Sequence, residues 1–211
     1  FGHVEWKNHV ALVFECQQMN LREALRKFGK DVGINVKAIQ LYGRQLIKAL
    51  ELLQKVRVVH ADIKLDNILC SADLKTVKLC DFGSAFYEDS LDTIPTPYLV
   101  SRFYRAPEVV LGLQYGRAID MWSVGTCLSE LFTGAVLFPG RTNNDMIRVF
   151  QETLGRLPNK TVRAHLRAYH VLEMEPHFTP DLRYKYAYAD PVNGEAVVRI
   201  TEVPAAPVHD L

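Results

Sequence analysis

The chain has 211 residues, enough for one domain or slightly more, and is 48% hydrophobic and 23% charged, a balance that can bury a core. Lys and Arg number 25 against 24 Asp and Glu, a formal net charge of +1 that argues against a general nucleic-acid or membrane-surface binder. No apolar stretch approaches the roughly 18 residues of a membrane span, and Cys16, Cys70, Cys80 and Cys127 show no metal-ligand spacing.

In chain order, the apolar run Val10 to Phe14 predicts a buried strand. Asn20 predicts the cap of a short polar helix through Phe28, with Gly29 as its stop. Asn35 predicts the start of a longer helix whose Ile39, Tyr42, Leu46, Leu50 and Leu53 share one face. Asn67 to Leu69 and Thr76 to Cys80 read as a hairpin around Ser71-Ala72-Asp73. Ser84 to Arg105, polar and holding Pro95 and Pro97, reads as one long functional loop. A helix is expected over Arg117 to Phe132, with Ile119, Trp122, Leu128 and Phe132 as core anchors and Gly134 as its stop. Another is expected from Asn143 to about Leu154. Beyond Leu157 the periodicity weakens, and Pro176, Pro180, Pro191, Pro204 and Pro207 predict irregular segments, with a strand at Ala196 to Ile200.

The chemistry concentrates between the long helix and the long loop. His60-Ala61-Asp62-Ile63-Lys64-Leu65-Asp66-Asn67 is followed by a short strand and Asp81-Phe82-Gly83. Phosphoryl transfer from a nucleotide needs these groups: a carboxylate to orient the attacking hydroxyl, a lysine to neutralise the moving phosphate, and an amide and a second carboxylate to hold metal ions. Asp62 is the candidate base, Lys64 the candidate charge partner, and Asn67 and Asp81 the candidate Mg²⁺ and nucleotide-binding pair. Asn67 and Asp81 stand at the two open ends of the expected hairpin, so they meet in space.

With Ala106-Pro107-Glu108 further on, these motifs resemble the catalytic half of a eukaryotic protein kinase. The resemblance implies an α+β, two-lobed fold and an ATP- and Mg²⁺-dependent enzyme acting on protein hydroxyls. It implies that residues 1–19 are a remnant of the small lobe and hinge, and that residues 20–211 are the large lobe, incomplete at its end. Glu15-Cys16-Gln17 would be the hinge that hydrogen-bonds adenine, with Phe14 as gatekeeper; the same residues also read as a strand end running into a loop. His60 would pack and hydrogen-bond, and Asp120 would anchor the catalytic-loop backbone. Phosphorylation of Tyr98 would lock the loop through Arg102 and Arg105, since arginines bind phosphate bidentately; the alternative is a buried structural tyrosine beside solvated arginines. Ser90, Thr93 and Thr96 are further hydroxyls of that loop.

Thr96 to Glu108 looks like the activation segment of the group containing cyclin-dependent, mitogen-activated and dual-specificity tyrosine-regulated kinases. Met19 to Glu23, Gly29 to Gly33, His60 to Lys64 and Pro139 to Asn144 are similar to the spliceosomal pre-mRNA-processing kinases. That likeness implies a nuclear serine/threonine kinase with spliceosomal protein substrates, and neither membrane nor direct nucleic-acid binding. Three features depart from the general pattern. Ala61 replaces the arginine that usually clamps a phosphorylated loop, and Leu65 stands where proline is usual. No glycine-rich phosphate loop, strand lysine or partner glutamate precedes Val10, so most of the small lobe is expected to be missing, Val10 to Phe14 exposed, and the chain alone weak or inactive. The alternative reading is a non-catalytic kinase-lobe fragment that docks partners.

Overall fold

The computed structural model describes residues 1–29, 31–90, 95–190 and 194–201. Strands β1 (Gly2–Trp6) and β2 (His9–Val13) form an antiparallel hairpin whose two-residue turn, Lys7 and Asn8, has both φ angles positive (46° and 62°). Every residue of the hairpin strands is exposed. Of the two expectations for Val10 to Phe14, a buried strand from its apolar letters and an exposed edge from the missing small-lobe motifs, the structure has the exposed one. A lone two-stranded ribbon has no second layer to cover either face.

Strand β3 (Met19–Asn20) leads into helix α1 (Leu21–Arg26). Asn20 closes a capping box: its side chain accepts the Glu23 amide at 2.8 Å, and the Glu23 carboxylate accepts the Asn20 amide at 3.0 Å. Helix α2 (Val36–Lys55) is capped by Asn35, which accepts the Lys37 amide at 2.8 Å. Tyr42 and Leu46 are buried on its inner face, with Ile39, Leu50 and Leu53 partly buried beside them.

Strands β4 (Val58–Val59), β5 (Ile68–Cys70), β6 (Val77–Leu79) and β7 (Phe86–Tyr87) follow. β5 and β6 are the expected hairpin, and β3 adds to it in the order β3-β5-β6, while β4 pairs with β7. Helix α3 (Pro107–Val110) is one turn, and α4 (Ala118–Thr133) ends at Gly134 in the left-handed conformation. Leu131 and Ile119 on α4 are buried, but Phe132, expected in the core, is 60% exposed. The helix turns Leu131 inward, so its immediate neighbour must face out.

Gly33 and Gly134 meet across a seam between the segment before α2 and the end of α4. A Cβ on Gly33 would lie 2.0 Å from the Phe132 carbonyl oxygen, and one on Gly134 would lie 2.5 Å from the Val32 nitrogen. The Ile34 amide donates to the Leu131 carbonyl at 2.7 Å beside them.

Helix α5 (Asn143–Leu154) matches its expected span and is capped by Thr142. Helix α6 (Asn159–Val171) corrects the expectation of irregular chain beyond Leu157. Its buried face is Val162, His165 and Tyr169, and two of those three are polar, which hides the periodicity from a count of apolar residues. Strands β8 (Tyr184–Ala189) and β9 (Ala196–Thr201) close the described chain as an antiparallel hairpin. The β9 strand was expected and β8 was not. Thr93, Pro191, Pro204 and Pro207 lie outside the described residues.

Two apolar clusters fill the interior. The first surrounds residues 59–70 with Leu21, Leu25, Leu46, Ile119 and Leu131. The second joins α5, α6 and β8 through Phe138, Met146, Phe150, Val162, Phe178 and Tyr184. Trp122 packs against both, stacking on Phe138 at 5.5 Å and meeting Phe150 edge-on at 5.6 Å. Each fully buried large apolar side chain contributes about 1.5–3 kcal/mol.

Candidate active site

Residues 61–66 alternate. Ala61, Ile63 and Leu65 are completely buried in the first core cluster, so Asp62, Lys64 and Asp66 face outward. The apolar set fixes the register, and the chemistry-bearing set inherits it. Asp120 on α4 holds the start of this loop, its carboxylate accepting the His60 amide at 2.7 Å and the Ala61 amide at 2.9 Å. Burial pushes the Asp120 carboxyl above the usual carboxylate value, against the pull of these two amides. Ala61 has φ +62°, so the backbone turns sharply just before Asp62.

Asp62 receives four side-chain or amide donors. Lys64 Nζ lies 2.8 Å and Asn67 Nδ2 3.0 Å from Oδ2; Ser101 Oγ lies 2.7 Å and the Ser101 amide 3.3 Å from Oδ1. Burial works to raise its pKa, but the bonds from Lys64 and Ser101 and the charge of Lys64 prevail, holding the carboxyl below the usual value. Lys64 Nζ also meets Ser101 Oγ at 3.1 Å. Ser101 escaped the sequence reading because a serine outside a motif carries no signal until the fold brings residues 37 positions apart together.

Asn67 directs its amide nitrogen to Asp62, at 2.9 Å to the carbonyl as well as 3.0 Å to Oδ2. Its Oδ1 makes no hydrogen bond among the described residues. The Cys80 amide donates to the Asn67 carbonyl at 3.0 Å, extending the β5–β6 ladder and setting Asp81 beside Asn67. Asp81 is exposed, with φ +62°, and among the described residues its carboxylate accepts only the Gly83 amide, at 3.3 Å. An amide oxygen and a carboxylate without strong partners are hard oxygen donors, and the pair fits Mg²⁺ with phosphate oxygens completing its shell. His60 ties the two stretches: its Nε2 lies 3.0 Å from the Cys80 carbonyl, its Nδ1 accepts the Asp62 amide at 3.3 Å, and its ring lies 4.6 Å from that of Phe82.

The hinge candidates lie on the connector between β2 and β3. Phe14 is 74% exposed, and Glu15 pairs with Lys78 of β6. The Gln18 amide donates to the Cys70 carbonyl at 3.1 Å, fastening the connector to the sheet. The main-chain amides of Glu15, Cys16 and Gln17 make no hydrogen bond among the described residues.

Tyr98, Arg102 and Arg105 line one cavity of about 450 Å³. Tyr98 is 63% exposed, which disfavours the buried structural reading. Arg105 is 6% exposed, and its guanidinium donates to the carbonyls of Tyr98 (3.0 Å), Leu99 (2.8 Å) and Val100 (2.8 Å) and to Asn143 Oδ1. Burial first, and the charge of Arg102 second, push its pKa down to about 10. Arg102 is exposed and makes no ion pair among the described residues. Deeper in, Glu130 of α4 accepts from both Arg22 and the Tyr104 hydroxyl, joining α1, α4 and the turn before α3. Glu108 is half-buried and forms no ion pair among the described residues.

Comparison with known proteins agrees with this geometry. The family model for the protein kinase domain matches residues 1–175. The chain is 45% identical to serine/threonine-protein kinase prp4 of Schizosaccharomyces pombe over 193 residues, covering 92% of this chain and 39% of that protein. It is 48% identical to serine/threonine-protein kinase prpf4B of Dictyostelium discoideum over 163 residues, covering 76% of this chain and 20% of that protein. A putative dual specificity tyrosine-phosphorylation-regulated kinase 3 homolog of Drosophila melanogaster is 40% identical over 165 residues, covering 78% and 19%. The chain thus spans well under half the length of these relatives. With the motif residues assembled on an α+β framework and the family match covering most of its length, the chain belongs to the protein kinase family.

Proposed function

We propose that the chain is the hinge and large lobe of a protein serine/threonine kinase that uses ATP and Mg²⁺, acts on splicing-related proteins and works in the nucleus. Residues 1–19 belong to the small lobe and hinge in this reading, and residues 20–211 to the large lobe. The observation that carries it is the convergence of Lys64, Asn67 and Ser101 on the Asp62 carboxylate, with Asp81 alongside. The splicing and nuclear parts rest on the likeness to prp4 and prpf4B and on no feature of the site.

Asp62 Oδ1 already accepts a hydroxyl, that of Ser101, and a substrate hydroxyl would approach the same carboxylate. Its lowered pKa makes it a weak base, suited to orienting the hydroxyl and taking its proton late. That suffices for a loose phosphoryl-transfer transition state. Lys64 faces the same space and would balance the charge of the transferring group. Asn67 Oδ1 and Asp81 would hold Mg²⁺, which supplies charge neutralisation on the phosphate oxygens. The main-chain amides of Glu15, Cys16 and Gln17, which make no hydrogen bond among the described residues, would take the adenine edge, with Phe14 as gatekeeper. Phosphate on Tyr98 would be held chiefly by Arg102, because Arg105 is already committed to three carbonyls and Asn143.

The test is phosphotransfer from γ-labelled ATP to serine-containing splicing proteins by this lobe joined to a kinase small lobe, since the chain alone is expected to be weak or inactive. Asp81→Ala should abolish transfer, and Asp62→Asn should lower it by about 10³-fold or more. Transfer that survives Asp81→Ala would refute the assignment.

A further inference from the structure

Arg22 lies in the first turn of α1, which the capping box of Asn20 and Glu23 fixes. Its guanidinium meets three segments of the chain. Nη1 and Nη2 donate to Glu130 of α4, Nη2 also donates to the Tyr104 hydroxyl, and Nε reaches Asp66 Oδ2 at 3.5 Å. The Tyr104 hydroxyl in turn donates to Glu130 Oε2 at 2.6 Å. Glu130 is 2% exposed, so its carboxylate has left water and the guanidinium supplies the compensating charge.

Two of these partners stand one step from the groups that hold Asp62. Asp66 precedes Asn67, whose amide nitrogen lies 3.0 Å from Asp62 Oδ2. Tyr104 closes a turn on Ser101, its amide donating to the Ser101 carbonyl at 2.9 Å, and Ser101 Oγ lies 2.7 Å from Asp62 Oδ1. Ser123 Oγ fixes the other end of Tyr104 by donating to its carbonyl at 2.8 Å. The two oxygens of Asp62 are thus held from two segments, and both segments run to one guanidinium. That group is planar with its donors in a fixed fork, so it sets the spacing of its partners, which an ammonium on a flexible stem does not. Arg22 itself makes no hydrogen bond to Asp62, Lys64, Asn67 or Asp81 among the described residues.

We propose that Arg22 is a positioning residue for phosphotransfer, an inference that rests on the kinase reading above. Its guanidinium holds Asp66 and Tyr104 at a set distance from Glu130, and through them seats Asn67 and Ser101 on the two oxygens of Asp62. Loss of the guanidinium leaves every reacting group in the chain and loosens the carboxylate on which they converge.

The experiment measures kcat and KM of the same fusion of this lobe to a kinase small lobe. Arg22→Ala should lower kcat on the order of tenfold while the KM for ATP and for peptide stays within about twofold. Added ethylguanidinium, the part of the side chain that alanine lacks, should restore most of the loss, and ethylammonium at the same concentration should not. Arg22→Lys keeps a charge beside Glu130 and so keeps the fold, but should recover little of kcat. Arg22→Ala combined with Glu130→Gln removes the buried charge; it should recover Tm and leave kcat low. In hydrogen exchange on the chain itself, the Tyr104 and Asn67 amides should quicken in Arg22→Ala while those of α5 keep their rates. Full kcat in Arg22→Lys or in the double variant would overturn the proposal, because the guanidinium would then serve only to neutralise Glu130. Equal rescue by the two cations, or unchanged exchange at Tyr104 and Asn67, would overturn it as well. An unaltered fusion that transfers no phosphate would instead refute the kinase reading and this inference with it, so the two failures are told apart.

Discussion

Ser101 Oγ lies 2.7 Å from Asp62 Oδ1, a hydroxyl of the long loop already seated on the carboxylate of the catalytic loop. The same oxygen reaches Lys64 at 3.1 Å, so one side chain joins the long loop to two residues of the catalytic loop. Ser101→Ala removes a donor that helps to hold the Asp62 carboxyl low. The Asp62 pKa should move up toward the ordinary carboxylate value, and phosphotransfer should fall on the order of tenfold. Ser101→Thr, which keeps the hydroxyl, should restore both. Carboxyl-carbon NMR titration and initial rates check the pair; an unmoved titration would remove Ser101 from the site.

Arg105 organises the loop through main-chain carbonyls and not through carboxylates. Truncation to alanine orphans the buried Val100 carbonyl and Asn143 Oδ1 along with the part-buried carbonyls of Tyr98 and Leu99, and should cost about 2–5 kcal/mol in chemical denaturation. Arg105→Lys should recover little, because an ammonium cannot spread its donors as the guanidinium fork does. Limited proteolysis should find residues 95–101 newly cleavable in both variants. Phosphorylating Tyr98 should protect that stretch in the unaltered protein, and Arg102→Ala should remove the protection.

The histidine pair under the second core sets an acid limit on stability. His177 has its pKa pushed down to about 4, by burial first, then by neighbouring His165 and Lys185. Its ring nitrogens face Asn144 at 3.2 Å and Tyr169 at 3.3 Å, and its amide donates to His165 Nε2 at 3.0 Å. An unfolded histidine binds its proton near pH 6.5, so between there and pH 4 the unfolded chain holds the extra proton. Stability therefore rises with pH across that window and is lost on acidification, by about 3 kcal/mol at most from His177. Asp62, whose pKa is lowered from a carboxylate value, contributes its own loss only at still lower pH. His177→Gln should flatten the slope between pH 6.5 and 4 in urea denaturation; an unchanged slope would locate the titration elsewhere.

Much of the chain was legible where polar punctuation marks a local event. Asn20, Asn35 and Gly134 mark helix ends through their own hydrogen bonds or backbone angles, which adjacent residues determine. The order Asp62, Lys64, Asn67, Asp81 was readable because it is carried on one loop and one hairpin. Helix α6 was not, because His165 and Tyr169 are buried through hydrogen bonds to the carbonyls of Leu111 and Val110, partners more than fifty positions away. Strand β8 was overlooked although Tyr184, Tyr186 and Tyr188 alternate along it, a period-two signal present in the residues themselves. The exposure of β2 was legible in the motifs missing upstream of it and not in its own apolar letters, whereas that of Phe132 depends on which face of α4 finds a partner.

The seam where Gly33 and Gly134 press backbone on backbone has a consequence for inheritance. Both residues sit at positive φ, and any side chain on either would collide with main-chain atoms that cannot swing aside. A substitution there strikes the joint on which α2 and α4 meet and leaves every reactive group intact. Its effect should appear as protein that is degraded before it accumulates, whereas a lesion at Asp62 should leave a normal amount of protein that does nothing.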